Sequence, residues 1–122
     1  MPRKPYRSPR DWLPIDQRRN FGYGYATALN WLTPTSELEH SLVAAAKQQS
    51  DLAHRIRISI ARAVYMPDLA ASIDVHVDTV RDILNGSQHA NLALITALSN
   101  AVGLNITVTA RRLDHPAESD PK

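Results

Sequence analysis

Residues 69–86 read LAASIDVHVDTVRDILNG, and this stretch decides how the chain folds. It predicts two short helices joined by a tight turn. Leu69 to Ile73 forms the first, Asp74 and Val75 the turn, and His76 to Leu84 the second. Leu69, Ile73, Val75, Val80, Ile83 and Leu84 supply an apolar inner face. The separations of Val80 from Ile83 and of Ile73 from Val80 match one face of a helix. Ala70 and Ala71 are small where two helices would cross closely. Asn85-Gly86 is a stop signal, because glycine takes the left-handed conformation that a helix end favours. The pattern is that of a helix-turn-helix, whose second helix fits the major groove of DNA.

The residues Leu69-Ala70, Ile73, Val75, Thr79-Val80, Ile83 and Asn85-Gly86 carry a likeness. They resemble the core of Cro-type (XRE) helix-turn-helix DNA-binding regulators. The flanking segments IARAVYM and NLALITALSNAVGLNITV resemble the HigA-like addiction-module antidote (antitoxin) branch of that superfamily. The resemblance spans residues 50–110 and does not reach residues 1–35. It implies an all-α, lambda-repressor-like bundle, and it places His76, Val77, Asp78, Arg81 and Asp82 toward the groove.

Each of those residues has a physical role open to it. Arg81 can give two hydrogen bonds to a guanine or pair with a phosphate, and Val77 can touch a thymine methyl. Asp78 can accept from cytosine or simply stabilise the helix N-terminus. His76 can cap the helix or donate to a phosphate. Asn85 and Ser87 are placed to hold the DNA backbone. Asp78 and Asp82 lie four apart on one face and would repel phosphates at a distance. They can encode base selectivity or mark a helix that contacts protein, and Asp82 can equally be a solvated charge beside the groove.

Charge is unevenly spread. The chain has 14 basic and 12 acidic residues, a net of +2. Six of the basic residues but only Asp11 and Asp16 lie in residues 1–35, a local net of +4, leaving the remainder at −2. Residues 1–10, MPRKPYRSPR, combine Arg3, Lys4, Arg7 and Arg10 with three prolines and no acid. No helix is expected there. The segment reads as an arm for the DNA backbone or minor groove, or as a soluble tail.

Residues 11–33 hold both Trp, the one Phe and two Tyr. Trp12, Phe21, Tyr23, Tyr25 and Trp31 suit packing on the domain or across a dimer, with a nucleotide-stacking platform as the alternative. A short helix fits Ala26 to Leu32. Ser36 and Glu39 form a capping box that starts a helix. A stripe of Leu38, Leu42, Ala45, Gln49, Leu52, Ile56, Ser59 and Ala63 allows one helix from Ser36 to Ala63. A break at Ser50-Asp51, a good N-cap pair, is the alternative. Pro67 and Asp68 suit the start of the next helix.

After the core, Asn91 caps a helix to Val102 and Gly103 ends it. Leu104, Ile106 and Val108 then alternate with Asn105, Thr107 and Thr109, a short strand by period. A lone strand needs a partner, so these three residues are expected at a homodimer interface that would suit a palindromic site. The chain thus divides into a basic, aromatic extension (1–35), a helix-turn-helix domain with C-terminal strand (36–112) and a polar tail (113–122).

These features predict a sequence-specific repressor of bacterial or phage type that binds double-stranded DNA as a homodimer. The resemblance adds the alternative of an antitoxin that autoregulates its operon and holds a toxin protein. No catalytic residue, metal site or cofactor is expected. His40, His54, His76, His89 and His115 are dispersed rather than at ligand spacing, and no nucleophile motif is present. The chain has no Cys, no apolar run long enough for a membrane and no secretory apolar region, which fits a cytoplasmic protein.

Overall fold

A computed structural model describes residues 7–60 and 65–106. The described chain is all-α: three 3₁₀ turns, then helices α1 (Glu37–Ile60), α2 (Met66–Ser72), α3 (Val77–Asn85) and α4 (Leu92–Ala101).

Helix α1 starts where the capping residues place it. Ser36 Oγ accepts the Glu39 N–H at 3.1 Å. The Glu39 carboxylate reaches one residue further back than a capping box requires, accepting from the Thr35 N–H and hydroxyl at 2.8 Å each. Those bonds, the backbone one first, hold the Glu39 carboxyl below its ordinary range. From there α1 runs unbroken for 24 residues, about 36 Å at 1.5 Å per residue. The Ser50-Asp51 pair does not interrupt it. Ser50 Oγ accepts the Gly22 N–H at 3.1 Å, and Asp51 Oδ1 accepts the Ala26 N–H at 2.6 Å. The two side chains that read as a helix start satisfy another segment's backbone instead.

The buried face of α1 is Val43, Ala46, Gln49, Ser50, Ala53 and Ile56. It is rotated from the expected stripe: Leu38 and Ala45 are exposed, and Leu42 and Leu52 only half-buried. Small Ala46, Ser50 and Ala53 face inward because the aromatic extension lies against this side. Trp12 packs there with Val43 and Ala46. Leu13 and Phe21, both fully buried, join Ile56, Leu69, Val80, Ile83, Leu84, Ile95 and Leu98 in the main core. Residues from the extension therefore complete the core of the helices.

Two local expectations for that extension are corrected. A 3₁₀ turn spans Pro9–Trp12, so regular structure begins before residue 11. Ala26–Ala28 is a single 3₁₀ turn rather than a helix to Leu32, with Leu29 already extended. Its backbone is engaged elsewhere: Asp51 takes the Ala26 N–H, and Trp31 Nε1 donates to the Ala26 carbonyl at 2.8 Å.

Helix α2 runs into the turn Ile73–His76, where Asp74 holds φ = 61°, a left-handed conformation that aspartate tolerates better than most residues. His76 caps α3, and Gly86 ends it at φ = 77°. Asn91 Oδ1 caps α4 by accepting the Leu94 N–H at 2.7 Å. No strand is present among the described residues. Leu104 and Ile106 lie half-buried against their own chain's core, and the Leu104 N–H closes the α4 terminus on the Ser99 carbonyl at 2.8 Å. Val108, the third residue of the expected dimer strand, lies outside the described residues, as do Arg3 and Lys4. Among the described residues no helix is long and apolar enough to cross a membrane, and no cluster of three metal-ligating side chains occurs.

Candidate nucleic-acid interface

Helix α3 is anchored by one face and open on the other. Val80, Ile83 and Leu84 are fully buried, and each such side chain contributes about 1.5–3 kcal/mol of transfer free energy. The opposite face presents His76, Asp78 and Arg81 to solvent, with side-chain exposures of 72%, 70% and 55%. Val77, Asp82 and Asn85 sit half-buried along its edges.

The exposed face has internal electrostatics of its own. His76 Nδ1 accepts the Asp78 N–H at 3.0 Å. A ring nitrogen that accepts is unprotonated, so Nε2–H is the ring's outward donor. The same nitrogen lies 3.6 Å from Asp78 Oδ2; this contact is an ion pair only when the cap is given up. Arg81 Nη1 lies 3.5 Å from Asp78 Oδ1. That exposed pair is weak, yet it draws the one cation of α3 back toward an acid. Asp82 stands one turn further on, and its carbonyl accepts the Ser87 N–H at 3.0 Å.

Asn85 and Ser87 are used inside the protein. Asn85 Oδ1 accepts the Ser87 N–H at 3.0 Å, and Ser87 Oγ donates to the Asp82 carbonyl at 3.4 Å. These bonds shape the turn that follows α3.

Sequence patterning missed what holds that turn. Gln49, buried on α1, donates from Nε2 to the Ile83 carbonyl at 2.8 Å and to the Gln88 carbonyl at 3.0 Å. Its Oε1 accepts the Ala90 N–H at 3.1 Å. One amide thus satisfies three backbone groups and ties α1 to the end of α3 and the start of α4. The available signal was a polar residue within an apolar stripe. Phe21, expected to pack on the domain or across a dimer, packs on its own domain beneath Gly86, where a Cβ would lie 2.7 Å from its ring.

The extension reaches the same place. The Arg10 N–H donates to the Gly86 carbonyl at 2.9 Å. His89 Nε2 lies 2.7 Å from the Arg7 carbonyl, a contact in which the ring nitrogen donates. The Arg7 guanidinium stacks 4.7 Å from the centre of the Trp12 ring. Arg7 and Arg10 are therefore docked beside the C-terminal turn of α3. Leu104 and Ile106 follow α4 in the chain and pack against the main core. The chain matches no model of a known protein family, no curated protein and no solved structure.

Proposed function

We propose that this chain is a sequence-specific regulator of transcription that binds double-stranded DNA with α3 in the major groove. On this reading α2, the Asp74 turn and α3 are a helix-turn-helix within a lambda-repressor-like bundle of the Cro type. The carrying observation is the two-sidedness of α3. Its inner residues are fixed in the core, while His76, Asp78 and Arg81 stand uncovered by the described chain. Base contacts demand a rigid helix with solvent-facing polar side chains, and the exposure of these three supports the reading. The docking of Arg7 and Arg10 beside Gly86 and His89 adds support, because it starts the basic segment at the rim of that helix. A homodimer paired through Leu104, Ile106 and Val108, and a cytoplasmic location, belong to the same reading. So does the lack of catalytic activity.

The test is fluorescence anisotropy on duplexes selected from a random pool, across a salt series. The full chain is expected to bind with a steep salt slope. Removing residues 1–6, with Arg3 and Lys4, should reduce the slope by about two, at roughly 0.9 per phosphate contact. Arg81→Ala should cost about 1–3 kcal/mol on a selected site if it reads a guanine. Failure of the full chain to bind any duplex at low salt refutes the reading.

A second reading, an antitoxin that also grips a toxin protein, is favoured by one feature. Asp78 holds Arg81 and Asp82 follows it, so α3 presents more acid than base. A stable complex with a small basic protein, formed by a chain that still binds duplex DNA, would decide for it.

A further inference from the structure

Away from α3, an apolar groove of about 400 Å³ opens between the extension, the end of α1 and the start of α2. Tyr23, His54, Arg57, Ile58, Ile60 and Met66 line it. Gly22, at φ = 78°, lets the chain pass so close to the Leu84 carbonyl that a Cβ would approach it to 2.5 Å. That passage sets Tyr23 over Arg57, with the guanidinium 4.1 Å from the ring centre. Beside it, Tyr25 meets the His54 ring edge to face at 4.9 Å and lies 5.9 Å from the Arg55 guanidinium.

Two features mark this as unfinished surface. Tyr23 is 63% exposed and Ile58 46%, an aromatic and an apolar side chain that the described residues leave uncovered at the groove. Arg57 is the second. Its Nε is buried without a hydrogen-bond partner, and no carboxylate pairs with it among the described residues. Burial pushes its pKa below the ordinary arginine value, as expected for a cation short of partners. The nearest carboxylate in sequence, Asp51, is engaged with the Ala26 N–H.

We propose that this groove docks a short acidic segment of a partner protein, an apolar side chain seated on Ile58, Ile60 and Met66 and a carboxylate on Arg57. Charge complementarity argues for the carboxylate: among the described residues the groove and its flank carry Arg55, Arg57 and His54, and no acid lines it. A carboxylate pairs with the guanidinium through its Nη groups, since Nε is enclosed beside Gly22. The cleft is an open trough, and a free small ligand needs burial on most sides. A protein segment carries its own cover and suits the broad rim better. Nucleic acid fits less well, because Arg57 already covers one face of Tyr23 and the floor is aliphatic.

The experiment uses the full chain and labelled synthetic peptides in which a Leu or Phe is flanked by Asp and Glu. Matched peptides carry Lys for the acids or Ala for the anchor. Binding is read by anisotropy and mapped by amide chemical-shift changes. The acidic, anchored peptides are expected to bind and to shift Tyr23, His54, Arg57 and Ile58, while both matched sets fail. Arg57→Met, which keeps the aliphatic stem, and Ile58→Asp, at an exposed position, should each weaken binding at least tenfold with unchanged helical circular dichroism. The proposal is overturned if no peptide binds, if the variants bind as the parent does, or if the shifts map elsewhere. It is equally overturned if a single-stranded oligonucleotide occupies the groove instead, or if raising the protein concentration alone produces the same shifts.

Discussion

Replacing Gly86 with alanine tests the joint between the extension and α3 directly. Gly86 sits at φ = 77°, where a side chain costs about 1 kcal/mol in backbone strain. The new Cβ would also lie 2.7 Å from Cδ1 and Cγ of Phe21 and 2.9 Å from Cδ2. Phe21 is fully buried, so its ring cannot swing clear, and overpacking of this kind costs about 1–3 kcal/mol. The sum is about 2–4 kcal/mol, a fall in Tm of about 4 °C for each kcal/mol in a domain of this size. Urea unfolding of Gly86→Ala, Phe21→Ala and the double variant separates the two terms. The measurements belong in stabilising sulfate, because Phe21→Ala alone removes about 3–5 kcal/mol. With the ring gone only the strain remains, so Gly86→Ala should then cost about 1 kcal/mol. Equal costs in both backgrounds would show that Phe21 does not press on Gly86, and the docking of the extension on α3 would be wrong.

Gln49→Leu keeps the volume but strands the Ile83 and Gln88 carbonyls and the Ala90 N–H. We expect a loss of about 3 kcal/mol, at roughly 1 kcal/mol or more for each stranded group, with faster hydrogen exchange at Ala90. Asp78→Asn removes a like charge from the phosphate side and frees Arg81, so duplex affinity should rise and Arg81→Ala should cost more in that background; weaker binding would show that Asp78 itself reads a base. Glu39 should titrate below the ordinary carboxylate range by NMR, because its charged form accepts from Thr35. Its folded pKa is depressed, so its contribution to stability is present above the unfolded value and is lost as pH falls through the folded one. Thr35→Val should move that midpoint upward.

Much of the described helical frame is local and was legible in the sequence. His76, Ser36 and Asn91 cap the helices their side-chain chemistry suits, and Gly86 and Gly103 take left-handed conformations after α3 and α4. Capping and chain reversal depend on residues a few positions apart, so composition and spacing determined them. The period of Val80, Ile83 and Leu84 likewise determined which side of α3 is buried. Long-range partnership was decided only by the tertiary structure. Ser50 and Asp51 carry the chemistry of an N-cap, but their oxygens meet amides 28 and 25 residues away in the sequence. Gln49 fits an apolar stripe by position, yet only the approach of α3 and the following turn shows why it must be polar. The rotation of the buried face of α1 follows from Trp12, Leu13 and Phe21 arriving against its small residues, and no helical period in α1 encodes a segment that precedes it. A polar group's preference for a cap is intrinsic, whereas its actual partner is whichever unsatisfied backbone group the packed chain brings within reach.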